Sequence, residues 1–321
     1  MKSLYRIYHP EIFQGSLTDR NYFEGWYFKH VSADSGKAFA VIAGIALSDD
    51  SHSFIQFIEG NSGKTSYFRY ELDDFIYNRK RFEVKIGGSF FSGDGIKLDM
   101  NNNEYNVSGE IRYTGINKLP KSLLRPGIMG WYSFVPAMEC NHGIVSTGHT
   151  IEGIISTNGV TTDYTGGNGY VEKDWGISFP ESWIWLQCNN LGKKDVSLMI
   201  SVAKIPWKGN WFMGLISFIR VDGRTRILAT YNGAKVTKLK RLDDSKTEVV
   251  ISKGALTLAA IITRRGAGTL RAPVMGQMSA AIKESLNSEV SVELKKGSNL
   301  LFSGTGVRAG YEETDRIFTC F

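Results

Sequence analysis

Ala38-Phe-Ala-Val-Ile-Ala-Gly-Ile-Ala-Leu47 contains ten residues without a charge or a proline. It is half the length of the ~20 unbroken apolar residues a bilayer span needs, and its β-branched residues suit a buried strand. Short runs of the same kind lie at 53–59, 105–114, 143–155, 183–189, 196–205, 211–221, 225–231, 247–252, 256–263, 289–295 and 299–307. Gly, Asn, Asp and Ser bound them, and tight-turn signals such as Ser92-Gly-Asp-Gly95, Val221-Asp-Gly223, Tyr231-Asn-Gly233 and Lys296-Gly-Ser-Asn299 join several. Only 275–287 offers a helical spacing of apolar residues, so a helix is expected there. The fold class is all-β. More than a dozen strands exceed one ordinary sheet, which predicts two tandem barrels or sandwiches, residues 1–160 and 161–321. The seam is placed near 156–168, where Ser156-Thr-Asn-Gly-Val-Thr-Thr-Asp163 leads into Gly166-Gly-Asn-Gly169; the Pro-bearing stretch 115–138 reads as a crossing segment.

The 321 residues are 42% hydrophobic, 22% charged and 12% aromatic, with 35 Gly and 7 Pro, which excludes a disordered, collagenous or coiled-coil chain. The net charge of +6 is spread over short clusters (Arg79-Lys-Arg81, Lys238-Leu-Lys-Arg241, Arg264-Arg265) rather than gathered in one stripe. That distribution argues for solvated surface and against nucleic acid as a partner. Cys140, Cys188 and Cys320 are too few for a disulfide framework, and no apolar leader follows Met1, so a reducing cytoplasm is the expected compartment, with peripheral membrane contact left open.

Chemistry concentrates in three places. In Tyr22-Phe-Glu-Gly-Trp-Tyr-Phe-Lys29, strand alternation puts Tyr22, Glu24, Trp26 and Phe28 on one face. A carboxyl group in an aromatic row, if buried, would keep its proton and serve as a donor; alternatively it is a rim group held by backbone or by a cation. Gly169-Tyr-Val-Glu-Lys-Asp-Trp-Gly176 with Trp183-Ile-Trp-Leu-Gln-Cys188 adds Glu172 and Asp174 among indoles. Trp183, Trp185 and Gln187 share one strand face, suited to a ligand wall or to packing, while Ile184, Leu186 and Cys188 suit a core. Cys140, His142 and His149 match no zinc spacing, so no metal is expected, and His149 reads as a buried polar group able to shuttle a proton. No nucleophile elbow, Walker loop or dinucleotide fingerprint is present, which leaves cofactor-free chemistry or simple binding.

Phe23-Glu-Gly-Trp-Tyr-Phe-Lys29, Tyr170-Val-Glu-Lys-Asp-Trp-Gly176, Phe179-Pro180, Trp183-Ile-Trp-Leu-Gln-Cys-Asn189 and Leu270-Arg-Ala-Pro273 resemble the tocopherol cyclase family, in order along nearly the whole chain. The resemblance implies two lipocalin-like β-barrel halves and a cofactor-free reaction in which an acid protonates a prenyl double bond and a hydroxyl adds to the tertiary cation. Such chemistry needs a proton donor, a water-poor cavity and π-faces. The resemblance therefore makes Glu24, Glu172 and Asp174 candidate donors, His149 or Tyr170 candidate phenol bases, and Trp26, Phe28, Tyr170, Trp175, Trp183, Trp185 and Gln187 candidate walls. The plant proteins carry Asn where Asp174 stands, which ranks Glu172 above it. The partner implied is a hydrophobic small molecule. A carrier using the same cavity without catalysis is the alternative, and it predicts ionisable groups only at the cavity mouth.

Overall fold

The computed structural model describes residues 4–136, 138–193, 195–207 and 209–320. Two compact units emerge. One comprises the chain up to Glu59, Lys64–Phe179 and Thr269–Ile282; the other comprises Gly60–Gly63, Pro180–Gly268 and the chain from Lys283 onward. Each is a curled antiparallel sheet around its own core, as the all-β reading requires.

In the first unit the strand order is Thr65–Tyr70, His52–Glu59, Ala38–Leu47, Tyr22–Val31, Gly167–Gly176, Cys140–Thr157, Asn106–Asn117, Gly95–Asn101, Ser89–Ser92, Glu83–Ile86 and Phe75–Tyr77. Phe68 from one end and Phe75 and Val84 from the other lie in a single core, so the sheet curls back on itself. The register explains why. Trp26 and Phe28 point inward opposite the smaller Ala43 and Val41, leaving room for Trp26 to stack on Phe82 and for Phe28 to pack at a tilt on Phe91 (centroids 5.8 and 5.3 Å apart). Rings alternating with small residues let a strongly curved sheet fill its interior without voids.

The second sheet runs Arg224–Ala229, Asn210–Val221, Ser197–Trp207, Trp183–Cys188, Asn299–Glu313, Gln277–Lys296, Leu256–Thr263, Lys246–Lys253 and Lys235–Arg241. Its core is mostly aliphatic: Ile184, Leu186 and Cys188 join Leu198, Ile200, Val249, Leu258 and Val292. The expected aliphatic row is thus core.

Two expectations need correction. The seam does not fall at 160/161. Asn158 and Gly159 both take left-handed φ (50° and 81°), the two-residue hairpin turn that joins Cys140–Thr157 to Val160–Asp163. Strand Gly167–Gly176 then pairs with Tyr22–Val31 on one side and Cys140–Thr157 on the other, so a cut at 160 would remove the middle of the first sheet. The division comes at Phe179/Pro180. The helix expected over 275–287 is also absent: Met275 (φ 50°) and Gly276 (φ 76°) form the turn between strands Gly268–Val274 and Gln277–Lys296. A side chain at Gly276 would meet Tyr22 N at 2.4 Å and Leu47 O at 2.5 Å. Strand partners supplied by the fold override a local helical spacing.

Candidate proton-transfer site

Glu24 and Glu172 stand on neighbouring paired strands, and the register decides their fates. Glu24 is opposite Trp175, whereas Glu172 is opposite Tyr27. Because side chains alternate, Glu24, Trp26, Lys173 and Trp175 share the inner face, while Tyr27, Tyr170, Glu172 and Asp174 share the outer one. The sheet itself separates the two acids.

On the inner face Glu24 is wholly buried. Its Oε1 accepts from Gln14 N (2.8 Å) and pairs with Lys173 Nζ; its Oε2 accepts from Gly15 N (3.0 Å) and from the Tyr22 hydroxyl. Gly15 permits this approach, since a Cβ there would lie 2.4 Å from the Tyr22 ring. Lys173 also donates to Pro10 O (2.9 Å) and Ile12 O (2.5 Å), and its ammonium lies 4.5 Å from the Trp26 ring and 5.0 Å from the Trp175 ring. Every partner of Glu24 here is a donor, and the cluster pins residues 10–15 to the sheet. Trp26 is committed as well: its indole N–H donates to Glu11 O (2.8 Å), and it lies with Phe28 in the packed core. The π-faces expected to steady a substrate cation already hold an ammonium. Glu24 is thus occupied by groups that tie residues 14 and 15 to the sheet, and Trp26 and Phe28 lie within the packed core.

On the outer face the arrangement differs. Tyr170 donates to Glu172 Oε2 at 2.5 Å; His142 Nε2 lies 3.3 Å from the same oxygen as an ion-pair contact, and His142 Nδ1 lies 2.8 Å from Asp174 Oδ1. The strand Cys140–Thr157 supplies His142 directly opposite Asp174, and Ile144 opposite Glu172. Burial opposes a charged imidazole, yet the facing carboxyl groups of Asp174 and Glu172 outweigh it and push His142 up to about 10. Burial, with Glu172 beside it, drives the Tyr170 phenol well above its ordinary range. Burial, with Asp174 and Glu139, does the same to the Cys140 thiol. Tyr170 and Glu172 are buried, and Asp174, with a quarter of its side chain exposed (24%), is the member open to solvent. The result is a row, Asp174–His142–Glu172–Tyr170, hydrogen-bonded at its two ends and joined in the middle by the 3.3 Å ion-pair contact of His142 with Glu172, from a solvent-touching carboxyl group to a buried phenol. His142 also lines a cavity of about 20 Å³ with Pro10, Gln14, Gly127, Asn141 and Trp175, room for about one water molecule.

Ligand atoms of His142, Glu172 and Asp174 lie within 4.8 Å of one another, a set that could hold a small divalent cation once His142 has lost its proton. Spacing along the chain hides this trio because it spans two strands.

His149 does not join the chain. It sits seven residues beyond His142 on the same strand, with its ring 4.2 Å from the Tyr113 ring and Nδ1 2.8 Å from Ser146 Oγ. Gly169 makes room for it: a Cβ there would fall 2.1 Å from Nε2. Burial drives His149 down to about 3, so it is neutral at ordinary pH and remote from the acids. Trp183, Trp185 and Gln187 lie in the second unit on the face opposite its aliphatic core, with Trp183 Nε1 donating to Glu312 Oε2 at 2.8 Å. Sequence reading passed over Lys173 as an acid-neutralising partner and His142 as the bridge. The available signal was the pairing of the two motif strands, which aligns Lys173 with Trp26 and Asp174 with His142.

The family model described as tocopherol cyclase-like matches residues 94–313, more than half of the chain. A probable chloroplastic tocopherol cyclase of Oryza sativa subsp. japonica is 35% identical over 60 residues, 19% of this chain and 13% of that protein. A chloroplastic tocopherol cyclase of Zea mays is 33% identical over the same shares. The matched part thus spans about an eighth of those curated relatives. Among solved structures, CghA gives a TM-score of 0.60 at 9% identity, covering 91% of this chain and 88% of its own. A putative AttH from Nitrosomonas europaea gives 0.53 at 13% identity (93% and 94%), and kievitone hydratase from Nectria haematococca 0.52 at 10% identity (91% and 89%). Such likenesses show the fold, the tandem lipocalin-like β architecture. Among the described residues no helix is long and apolar enough to cross a membrane.

Proposed function

Because the chain belongs to the tocopherol cyclase-like family, we propose that it adds an O–H bond across a prenyl double bond by proton transfer at the Asp174–His142–Glu172–Tyr170 chain. The observation that carries this reading is the carboxyl–imidazole–carboxyl–phenol sequence, buried at Glu172 and Tyr170 and open to solvent at Asp174. A proton delivered to the less substituted alkene carbon leaves a tertiary cation; a hydroxyl oxygen closes on it and returns its proton to the carboxyl pair. No group is consumed. The reaction is a cyclisation when the hydroxyl is the substrate's own phenol and a hydration when it is water. His142 moves charge between Asp174 and Glu172 without separating ions into an apolar space, a role general acid–base catalysis assigns to a positioned imidazole.

Solved relatives in fold include a kievitone hydratase and CghA, the latter also solved with Sch210972, which fits processing of apolar small molecules. The carrier alternative predicts titratable groups at a cavity mouth alone; buried Glu172, with half-buried His142 beside it, favours catalysis. The test is turnover of a prenylated hydroquinone in D₂O, following deuterium gained at the ring-closing or hydrated carbon. Wild type should incorporate it, whereas Glu172→Gln and His142→Gln should each lose about 10²-fold or more in rate, and Asp174→Asn, which installs the residue of the plant proteins, should lose less. Unchanged turnover in all three would remove this mechanism, and ligand binding without turnover in wild type would point to the carrier.

A further inference from the structure

The segment 118–136 is anchored by buried Leu119 and Ile128, but its tip faces outward. Ser122 and Arg125 exchange two backbone hydrogen bonds (2.9 and 3.0 Å), closing a turn whose two central residues are Leu123 and Leu124. These are 82% and 74% exposed. Turn tips ordinarily carry Gly, Asn, Asp or Ser, so a Leu-Leu tip in water runs against local chemistry. It is not alone. Tyr8 donates to Leu123 O at 2.5 Å and its ring meets that of Phe134 (6.3 Å), which brings the short helix Leu4–Tyr8 and the turn Gly130–Phe134, with exposed Trp131, to the same place.

Along this segment the charges have one sign, although Glu11 of the neighbouring N-terminal segment acts on Lys121. No Asp or Glu occurs between Glu110 and Glu139, while Lys118, Lys121 and Arg125 flank the leucines. Tyr5 donates to Lys80 O at 3.0 Å, placing the exposed Arg79-Lys80-Arg81 cluster beside the helix. Projecting Leu and Trp side chains ringed by Lys and Arg match the layering of an anionic membrane surface, with acyl chains below, aromatic rings at the boundary and phosphates above. The same two segments contribute Ile7, Gly127 and Ser133 to the His142 cavity.

We propose that the Leu123–Leu124 tip and Trp131 dock the protein on an anionic phospholipid bilayer. The surface is read from exposure and charge alone; its purpose, delivering an apolar prenyl substrate toward His142, rests on the function proposed above. The docking is peripheral and reversible.

The test is co-sedimentation of the full chain with phosphatidylcholine vesicles containing about 30% phosphatidylglycerol, against pure phosphatidylcholine vesicles. Wild type should bind the anionic vesicles and release them in high salt, since exposed charges are screened there. Leu123→Glu/Leu124→Glu and, separately, Lys80→Glu/Lys118→Glu should each lower binding about tenfold. Leu123→Ser/Leu124→Ser should lower it too, without adding charge. Absence of wild-type binding at low salt, or wild-type binding by the leucine variants, overturns the proposal. So does a wild-type dimer that the leucine variants dissolve while no vesicle binding is seen, which would assign the patch to a second copy. Turnover of a short-chain, water-soluble prenyl hydroquinone separates the two ideas: the leucine variants should retain it, and its absence in wild type would sink the chemistry while leaving the vesicle result to judge the docking.

Discussion

Two carboxylates, Glu24 and Glu172, are buried one strand apart and flanked by similar aromatic residues, yet their surroundings are opposite in kind. Glu24 meets two backbone N–H groups, a phenol and the Lys173 ammonium, a closed set that uses its accepting capacity to bind the N-terminal segment. Glu172 meets a phenol and an imidazole that itself reaches a second, partly exposed carboxyl group. Burial alone therefore does not make an acid reactive. What separates a clamp from a candidate catalyst is whether the partner can pass a proton onward, and an imidazole between two carboxyl groups can do so where an ammonium held by carbonyls cannot.

The largest effect expected from breaking this contrast is on stability. Removing one partner of the inner pair, by Glu24→Gln or Lys173→Met, should cost about 3–5 kcal/mol in denaturant unfolding, because the other charge is left buried. The double variant should cost less than the sum of the two, and simple additivity would show that the pair is not coupled.

Next in size comes the outer pair, read as rate. Glu172→Gln should slow turnover by about 10²-fold, roughly 2.7 kcal/mol of barrier, with a smaller loss of stability than Glu24→Gln. If Glu24→Gln, once shown to be folded, were the slower enzyme, the roles assigned to the two faces would be reversed.

A pH series sharpens the contrast further. His142 is raised to about 10 in the fold, so the stability it contributes is fully present below its unfolded value near 6.5 and is lost as pH rises toward 10. His149 is lowered to about 3, so it is neutral when folded and the unfolded chain binds the extra proton; stability falls as pH drops from about 6.5 toward 3. Each slope should be at most about 1.4 kcal/mol per pH unit, and each should vanish, in its own window, in His142→Gln and His149→Gln. A loss in the same window for both would contradict their placement.

The smallest effect belongs to Tyr170→Phe. Loss of its hydrogen bond to Glu172 should cost about 1–2 kcal/mol in stability and less than tenfold in rate, as expected for a terminal member of the chain. A rate loss equal to that of Glu172→Gln would instead place the phenol at the reacting atoms.

Much of this was legible in the residues. Ala38–Leu47, 256–263 and the tight turns at 92–95, 221–223 and 296–299 announce antiparallel strands because side-chain alternation and turn chemistry are local properties. The motif around Glu172 is likewise visible, and it supplies Tyr170, Glu172 and Asp174 to the candidate proton-transfer group. Less visible was the ribbon at 268–282, whose apolar spacing suits a helix until strand partners are supplied, and the hairpin at Asn158-Gly159, which looks like a linker until its neighbours are known.

Taken by itself, then, the order of residues determined the β class, the family and the segment bearing the acids, since each depends on spacing within a few residues. Tertiary structure alone decided that Glu24 faces Lys173 inside the sheet while Glu172 faces His142 outside it. That outcome hangs on the register between strands far apart in the chain, and a shift of one residue would exchange the two faces.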